Sequence, residues 1–447
     1  MTDIDRRLLI GLAGVAGATL ATKLAQGGSL NPPPGPVTPT GKTTDQIEPR
    51  IDLLNAPASA NVTNDANNHC IINNPGSYYL SGNLAVTKAN GISVQAAGVT
   101  IDLCGFQIYR ASGSGGHAAA GALVIGNGSA RGFAVGFSVP PGGSCRLHDL
   151  STVQCGTGFD VSDSSVMTSC TANNCTQLGF SCVDSCTLVD CAALACAESF
   201  SVGDGCTLAR CTADFSSGAA FAGKSGCALV NCTARNGNAD PSEAFFFLQG
   251  CTLTDCTATN NTVQHAFYVG SASILQNCVA DSTTSGVDSA AAFKLDGAIA
   301  RGCVANNTSS SLAAGATQGV GFTGGGVFEG CVSSGNAGAG FYVTGTRSVI
   351  ARCQAIGNGF SGVQVIDASC VIEQNRAIFN GQYGVRVDGT GNVVFANCAR
   401  GNTAGNYSIV INNRVGAIVV PALNASPVTG NNGGSAFTTD PYANIGF

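Results

Sequence analysis

The sequence predicts an all-β chain wound as a parallel β-solenoid, with three short strands in each coil of about 22 residues. Three observations carry that prediction. A cysteine returns at Cys170, Cys191, Cys211, Cys232, Cys256, Cys278, Cys303, Cys331 and Cys353, and Asn375 and Asn397 continue the frame. An aromatic column follows it downstream, at Phe159, Phe180, Phe200, Phe221, Phe267, Phe293, Phe322 and Phe341, then Val363, Val385 and Tyr407. Charged residues are only 10 % and glycine is 61 of 447, a composition for short strands and tight turns rather than amphipathic helices.

In chain order, Arg6 and Arg7 precede an apolar run from Leu8 to about Ala21. A basic start, an apolar stretch and small residues after it predict a twin-arginine-type export signal over residues 1–26. The run of about 14 residues is short of the ~20 that cross a bilayer. No stable membrane span is therefore expected once the signal is removed, and the expected location is the periplasm, the cell surface or the exterior. Residues 27–43, with "NPPPGPVTPTGK", read as a Pro-rich extended linker. Residues 44–110 are the expected N-terminal cap and first coils, because a solenoid end is an open strand edge. Residues 111–415 are the coils, and 416–447 a tail or cap over the last one.

The faces of each coil follow from the cysteine frame. Three residues before the cysteine stands an apolar residue (Leu188, Leu208, Leu229), and two after it stands alanine (Ala193, Ala213, Ala234). The residue just before is polar (Asp190, Arg210, Asn231). Such alternation marks half-buried strands, and the single slip of parity marks a corner between two of them. Asp190 and Arg210 should pair across the stack. The third strand is the "Phe-x-Val" segment, with Phe and Val inward. Asp204-Gly205, Asp296-Gly297 and Asp388-Gly389 read as tight turns. Extra residues in the long repeats fall between the Asn turn and the Phe column, so their loops all leave from one edge.

The 22 cysteines admit four readings. The C-x4-C pairs, such as Cys206 and Cys211, miss zinc spacing and have no nearby histidine. Coils stack about 4.8 Å apart, within reach of a disulfide, but parallel side chains suit its torsions poorly. A few bridges at most are expected. No neighbouring base makes a cysteine reactive. The cysteines read as small apolar packing groups in a narrow interior.

"PGSYYLSGNLAV" (75–86), "GISVQAAGVTIDLCGFQIYR" (91–110), the "GDGCTLARCTA" coils and "DPYANIGF" (440–447) resemble exported bacterial right-handed parallel β-helix proteins of the pectate-lyase-like superfamily. The resemblance runs from about residue 44 to the end. It implies one right-handed parallel β-helix from about residue 50 to 415. The opening segment is similar to an Asp-Leu-Asn-Gly pattern, with Cys104 in the Asn place. The superfamily includes lyases, hydrolases, epimerases and binding proteins, so the fold alone does not fix an activity.

Function should lie on the outward x of "Phe-x-Val". That column reads Asp160, Ser181, Ser201, Ala222, then Tyr268, Lys294, Thr323, Tyr342, Gln364 and Arg386. The early coils present small residues, the late ones aromatic and basic residues. Tyrosine rings stack on sugars, and Lys or Arg pairs with carboxylates. The expected partner is a polysaccharide, acidic ones included, bound in a shallow groove. Tyr268, Tyr342, Gln364, Asp240, Glu243 and Asp288 are the candidate binding residues.

If the protein also cleaves, a lyase needs a base near a cation that neutralises the uronate; Lys294, His265 and Arg386 are the candidates. No cofactor is expected; the alternative is calcium, on Asp281 and Asp288 or at the Asp-Gly turns, where the ligand count per turn is low. A hydrolase needs two carboxylates at a set separation, and Asp240 with Glu243 is the only loop pair of that kind. "DPSE" (240–243) lacks the histidine of the Asp-Pro-His-Glu pattern of uronan epimerases on this fold, which argues against that activity. The competing class is a non-catalytic surface spacer or adhesin. A net charge of −6 leaves no nucleic-acid footprint.

Overall fold

The computed structural model describes residues 50–55, 61–110, 115–121, 123–312, 315–419 and 440–446. The expected export signal (1–26), the linker (27–43) and residues 420–439 of the expected tail lie outside them. No helix among the described residues is long and apolar enough to cross a membrane.

The chain is an all-β, right-handed parallel β-helix with three strands per coil. One coil comprises Thr187–Val189, Ala192–Leu194 and Glu198–Val202; the next comprises Thr207–Ala209, Thr212–Asp214 and Phe221–Gly223. Each strand pairs in parallel with its successor one coil on, through Leu188 with Leu208, Ala193 with Ala213 and Phe200 with Phe221. Among the described residues, the only antiparallel pair is Val62–Thr63 against Asn68–Ile72, near the N-terminal end.

The slip of parity before each cysteine has a backbone cause. Asp190, Arg210 and Asn231 hold φ of 55°, 53° and 53°. One left-handed residue between two strands turns the chain and lets the next side chain face inward again. That conformation costs a non-glycine residue roughly 1–2 kcal/mol, so the turn is held by stacking. Asp190 and Arg210 pair as expected, through contacts of 2.6 and 2.8 Å. The turn after Arg386 differs in detail from the reading of Asp388-Gly389. Its left-handed residue is Gly391 (φ 73°), whereas Gly389 is required because an added Cβ would stand 2.1 Å from the Asp367 carbonyl oxygen.

The interior is built from columns. Ten phenylalanines stack face to face from Phe137 to Phe341, with neighbouring ring centres 4.6 to 5.5 Å apart. Phe137 and Phe245 join the eight rings read from the sequence. All 22 cysteines are free thiols. Most sit at corners, where the buried thiol donates to a backbone carbonyl: Cys211 Sγ lies 3.6 Å from the Leu188 oxygen and 3.6 Å from the Ala209 oxygen. Cys175 and Cys196 belong to a further inward column at the next corner, where Asn336, Asn358, Asn380 and Asn402 replace cysteine in the late coils. The cysteine frame itself continues through Asn375 and Asn397 to Asn444, whose side-chain oxygen accepts from Asn397 Nδ2 at 3.1 Å. The strand Asn444–Gly446 pairs with Cys398–Arg400 and covers part of the last coil.

Burial pushes the Cys70 and Cys145 thiols up to about 11 and raises Cys353 as well. These groups are protonated and enclosed at neutral pH, as packing residues should be. Cys104 is exposed and Cys398 half-buried. A thiol reagent on the native protein should therefore titrate Cys104 quickly and Cys398 slowly, and reach all 22 only after denaturation. Rapid reaction of several interior thiols in the native state would contradict this packing.

Candidate functional site

The outward column is in register along the late coils. Ala222 pairs with Phe246, then come Tyr268, Lys294, Thr323, Tyr342, Gln364, Arg386 and Ser408 in succession. Sequence reasoning missed Phe246. It sits in "EAFFF", where three consecutive phenylalanines hide which one faces inward. The usable signal was the repeat between Cys232 and Cys256, which needed its own ring in the aromatic column. Phe246 and Tyr268 stack on each other outside the barrel, with ring centres 5.3 Å apart.

The loops of the long repeats form an ordered wall along this face. Asn238 bridges to Thr262 and Thr262 to Thr284, and Thr284–Ser285 pairs with Ser309–Ser310. This extra parallel ladder rests on carboxylates. Asp240 accepts from Ser285 Oγ at 3.0 Å and from the Gly286 amide at 2.7 Å. Asp288 accepts from Gln318 Nε2 at 2.7 Å, and its carbonyl accepts from Gln264 Nε2 at 3.3 Å.

Those contacts settle where the candidate residues stand. Asp240 and Asp288 tie loop to loop. Glu243 stacks beside His265 on the next coil, with Oε1 3.5 Å from Nδ1. Asp240 and Glu243 thus have separate structural partners. The His265 side chain is only 7 % exposed, and its ring centre lies 5.9 Å from that of Tyr268. Asp281 accepts from Asn307 Nδ2 at 3.1 Å, so the two aspartates considered for calcium are engaged with different neighbours. Among the described residues, no three His, Cys, Asp or Glu side chains gather to hold a metal.

The two cations of the column differ. Arg386 Nε donates to Asp388 at 2.9 Å, and Gln364 Nε2 donates to the other oxygen of Asp388 at 2.9 Å. Gln364 is buried. Lys294 has no carboxylate within ion-pair distance among the described residues. It stands between two depressions. One, of about 320 Å³, is lined by Asp296, Gly325, Thr344 and Thr346. The other, of about 100 Å³, is lined by Ser289, Thr317, Val320, Thr323, Tyr342 and Thr344. Lys294 and His265 stand on adjacent coils. Arg386 lies four coils beyond Lys294, about 19 Å at the strand spacing, so the three do not form one catalytic cluster. A larger depression of about 610 Å³ lies by Val99, Val124 and Arg146 in the early coils; it has no aromatic lining and is remote from this column.

A right handed beta helix region is matched over residues 192–349. No curated protein matches the chain. Among solved structures, the A-module of a mannuronan C-5 epimerase from Azotobacter vinelandii is 11% identical, over 76% of this chain and 91% of that one, with a TM-score of 0.32. A periplasmic alginate epimerase is 11% identical, over 82% of each chain, with a TM-score of 0.28. The catalytic domain of a GH87 alpha-1,3-glucanase is 13% identical, over 74% of this chain and 64% of that one, with a TM-score of 0.32. With its parallel coils in register over the described residues, the chain folds as a right-handed parallel β-helix, and residues 192–349 match a right handed beta helix region.

Proposed function

We propose that the protein is exported and binds polysaccharide along the outward face of its late coils. The observation that carries this reading is the in-register column Phe246, Tyr268, Lys294, Thr323 and Tyr342 beside a continuous loop wall. The rungs repeat about every 4.8 Å, close to the length of one sugar unit, so a glycan laid along the stack meets one rung per residue. The aromatic rungs offer apolar surface to sugar C–H groups, and the hydroxyls and Lys294 supply polar contacts. Cleavage would draw on His265 beside Glu243, the one imidazole–carboxylate pair next to the column.

Affinity electrophoresis against a panel of neutral and acidic polysaccharides tests the reading. Retardation by at least one polysaccharide is expected, and Tyr268→Ala or Tyr342→Ala should weaken it about five- to tenfold, the scale of losing one aromatic contact. Release of unsaturated sugar that disappears in His265→Ala would add turnover to binding. Retardation by none, with both tyrosine variants behaving like wild type, would leave the spacer or adhesin role.

A further inference from the structure

The binding face has an unusual charge balance for a site that takes acidic polysaccharide. Its late coils carry three carboxylates, Glu243, Asp296 and Asp388, against two fixed cations, Lys294 and Arg386. The loop wall adds Asp240 and Asp288, already engaged by loop donors. The chain as a whole has a net charge of −6. Arg386 is already paired with Asp388, so a polymer with a carboxylate on every sugar would find Lys294 as its one cation on this column. Phe246, Tyr268, Thr323, Tyr342 and Gln364 instead present neutral rungs.

One point on the column is different. Thr323 is short and nearly buried, 8 % exposed, and it lies between two long neighbours, Lys294 and Tyr342. The gap is the depression of about 100 Å³, roofed by Ser289 and Thr317 of the loop wall. At that size it is well below the ~300 Å³ of a pocket that encloses a whole small ligand. It fits a substituent projecting from a sugar. Its polar lining is hydroxyl donors and the Lys294 ammonium, which has no carboxylate partner among the described residues. Hydroxyls and an ammonium converging on one small notch match an anionic oxygen group.

Resting on the binding reading above, we infer that the face recognises a glycan neutral along most of its length that carries isolated anionic substituents, one of which seats in the notch over Thr323. A carboxylate and a sulfate ester share the required chemistry. Lys294 is then the specificity-determining residue, and Arg386, held by Asp388, is not.

The experiment compares the full chain against four probes: a heteropolysaccharide with one uronic acid per oligosaccharide repeat, the same polymer with its carboxyl groups reduced to alcohols, a sparsely sulfated glucan, and polygalacturonate. The sparsely acidic polymer should bind about fivefold tighter than its reduced form, the upper end for a part-exposed ion pair, and added salt should close that gap. Polygalacturonate should bind more weakly than the sparsely acidic polymer. Lys294→Met should remove the gap, so that the acidic polymer and its reduced form bind the variant equally. Thr323→Phe, which fills the notch with Lys294 still present, should do the same. A gap shown by the sulfated glucan and absent from the uronic-acid polymer would support the notch and assign it a sulfate. Tightest binding to polygalacturonate, or a gap that survives both variants, would overturn the inference. Equal binding of reduced and acidic polymers, with binding of the sulfated glucan unchanged by Lys294→Met, would overturn it while the binding reading stands. Binding of none of a wider neutral and acidic panel would overturn both.

Discussion

Phe267→Ala is expected to cost about 3–5 kcal/mol of stability, the range for removing a fully buried ring. Phe267 is fully enclosed. Its ring lies 4.6 Å from Phe245 and 4.8 Å from Phe293, nearly parallel to both. No flexible side chain lines the gap from above or below, so the stack cannot close over the cavity. In a solenoid each coil contacts only its neighbours, and a broken contact in mid-stack weakens the coupling of both halves. The loss should appear in urea denaturation as a lower midpoint, with a shallower transition if the halves uncouple. Cys256→Ala, in the preceding part of the same column system, is the comparison. It removes one small group whose thiol donates to Thr254 O at 3.5 Å, and should cost about 1 kcal/mol. Equal losses for the two variants would show that the ring stack is not what holds the coils together.

Asn380→Ala is expected to cost about 3 kcal/mol, and to do so locally. Asn380 is fully buried. Its side-chain oxygen accepts from the Asn358 amide at 3.1 Å and from Asn358 Nδ2 at 3.0 Å. Its own Nδ2 donates to Asn402 Oδ1 at 2.9 Å and to the Ala355 carbonyl at 3.1 Å. Alanine leaves those groups buried without partners, at roughly 1–3 kcal/mol for each that water cannot reach. The last coils lie beyond this rung and depend on it, so hydrogen exchange should rise first from about residue 380 onward while the middle coils stay protected. Asn380→Asp should be no better. It keeps the acceptor but removes both donated bonds and places a charge where none is paired. Uniform acceleration of exchange throughout the chain would contradict a locally coupled ladder.

Much of this fold was legible because a solenoid repeats its environment. Leu188, Cys191 and Ala193 occupy positions that recur with the same burial in every coil, so a periodic column of residues reports a periodic column of contacts. The corner was legible too, since only a change of backbone region moves inward-facing positions from one parity to the other. The outward column was legible for the same reason, apart from Phe246, where a run of identical residues erased the alternation. The loops behaved differently. Asp240 and Asp288 read as groove carboxylates, but their partners Ser285, Gly286 and Gln318 lie in other loops, where no period predicts proximity. Asn444 was hidden by distance, being far along the chain from the rung at Asn397 that it completes. Arg386 with Asp388 was within reach of the sequence, because residues two apart on a strand share a face.

The central claim is that polysaccharide lies on the late-coil outward face, and hydroxyl-radical footprinting with and without bound polysaccharide tests it most directly. Phe246, Tyr268 and Tyr342 are partly exposed on that face. Phe215 and Phe379, 57 % and 63 % exposed at corners away from it, are internal controls. Bound polysaccharide should protect Phe246, Tyr268 and Tyr342 from oxidation and leave Phe215 and Phe379 unchanged. Protection of Phe215 or Phe379, with the three column residues still oxidised at the free rate, would contradict it.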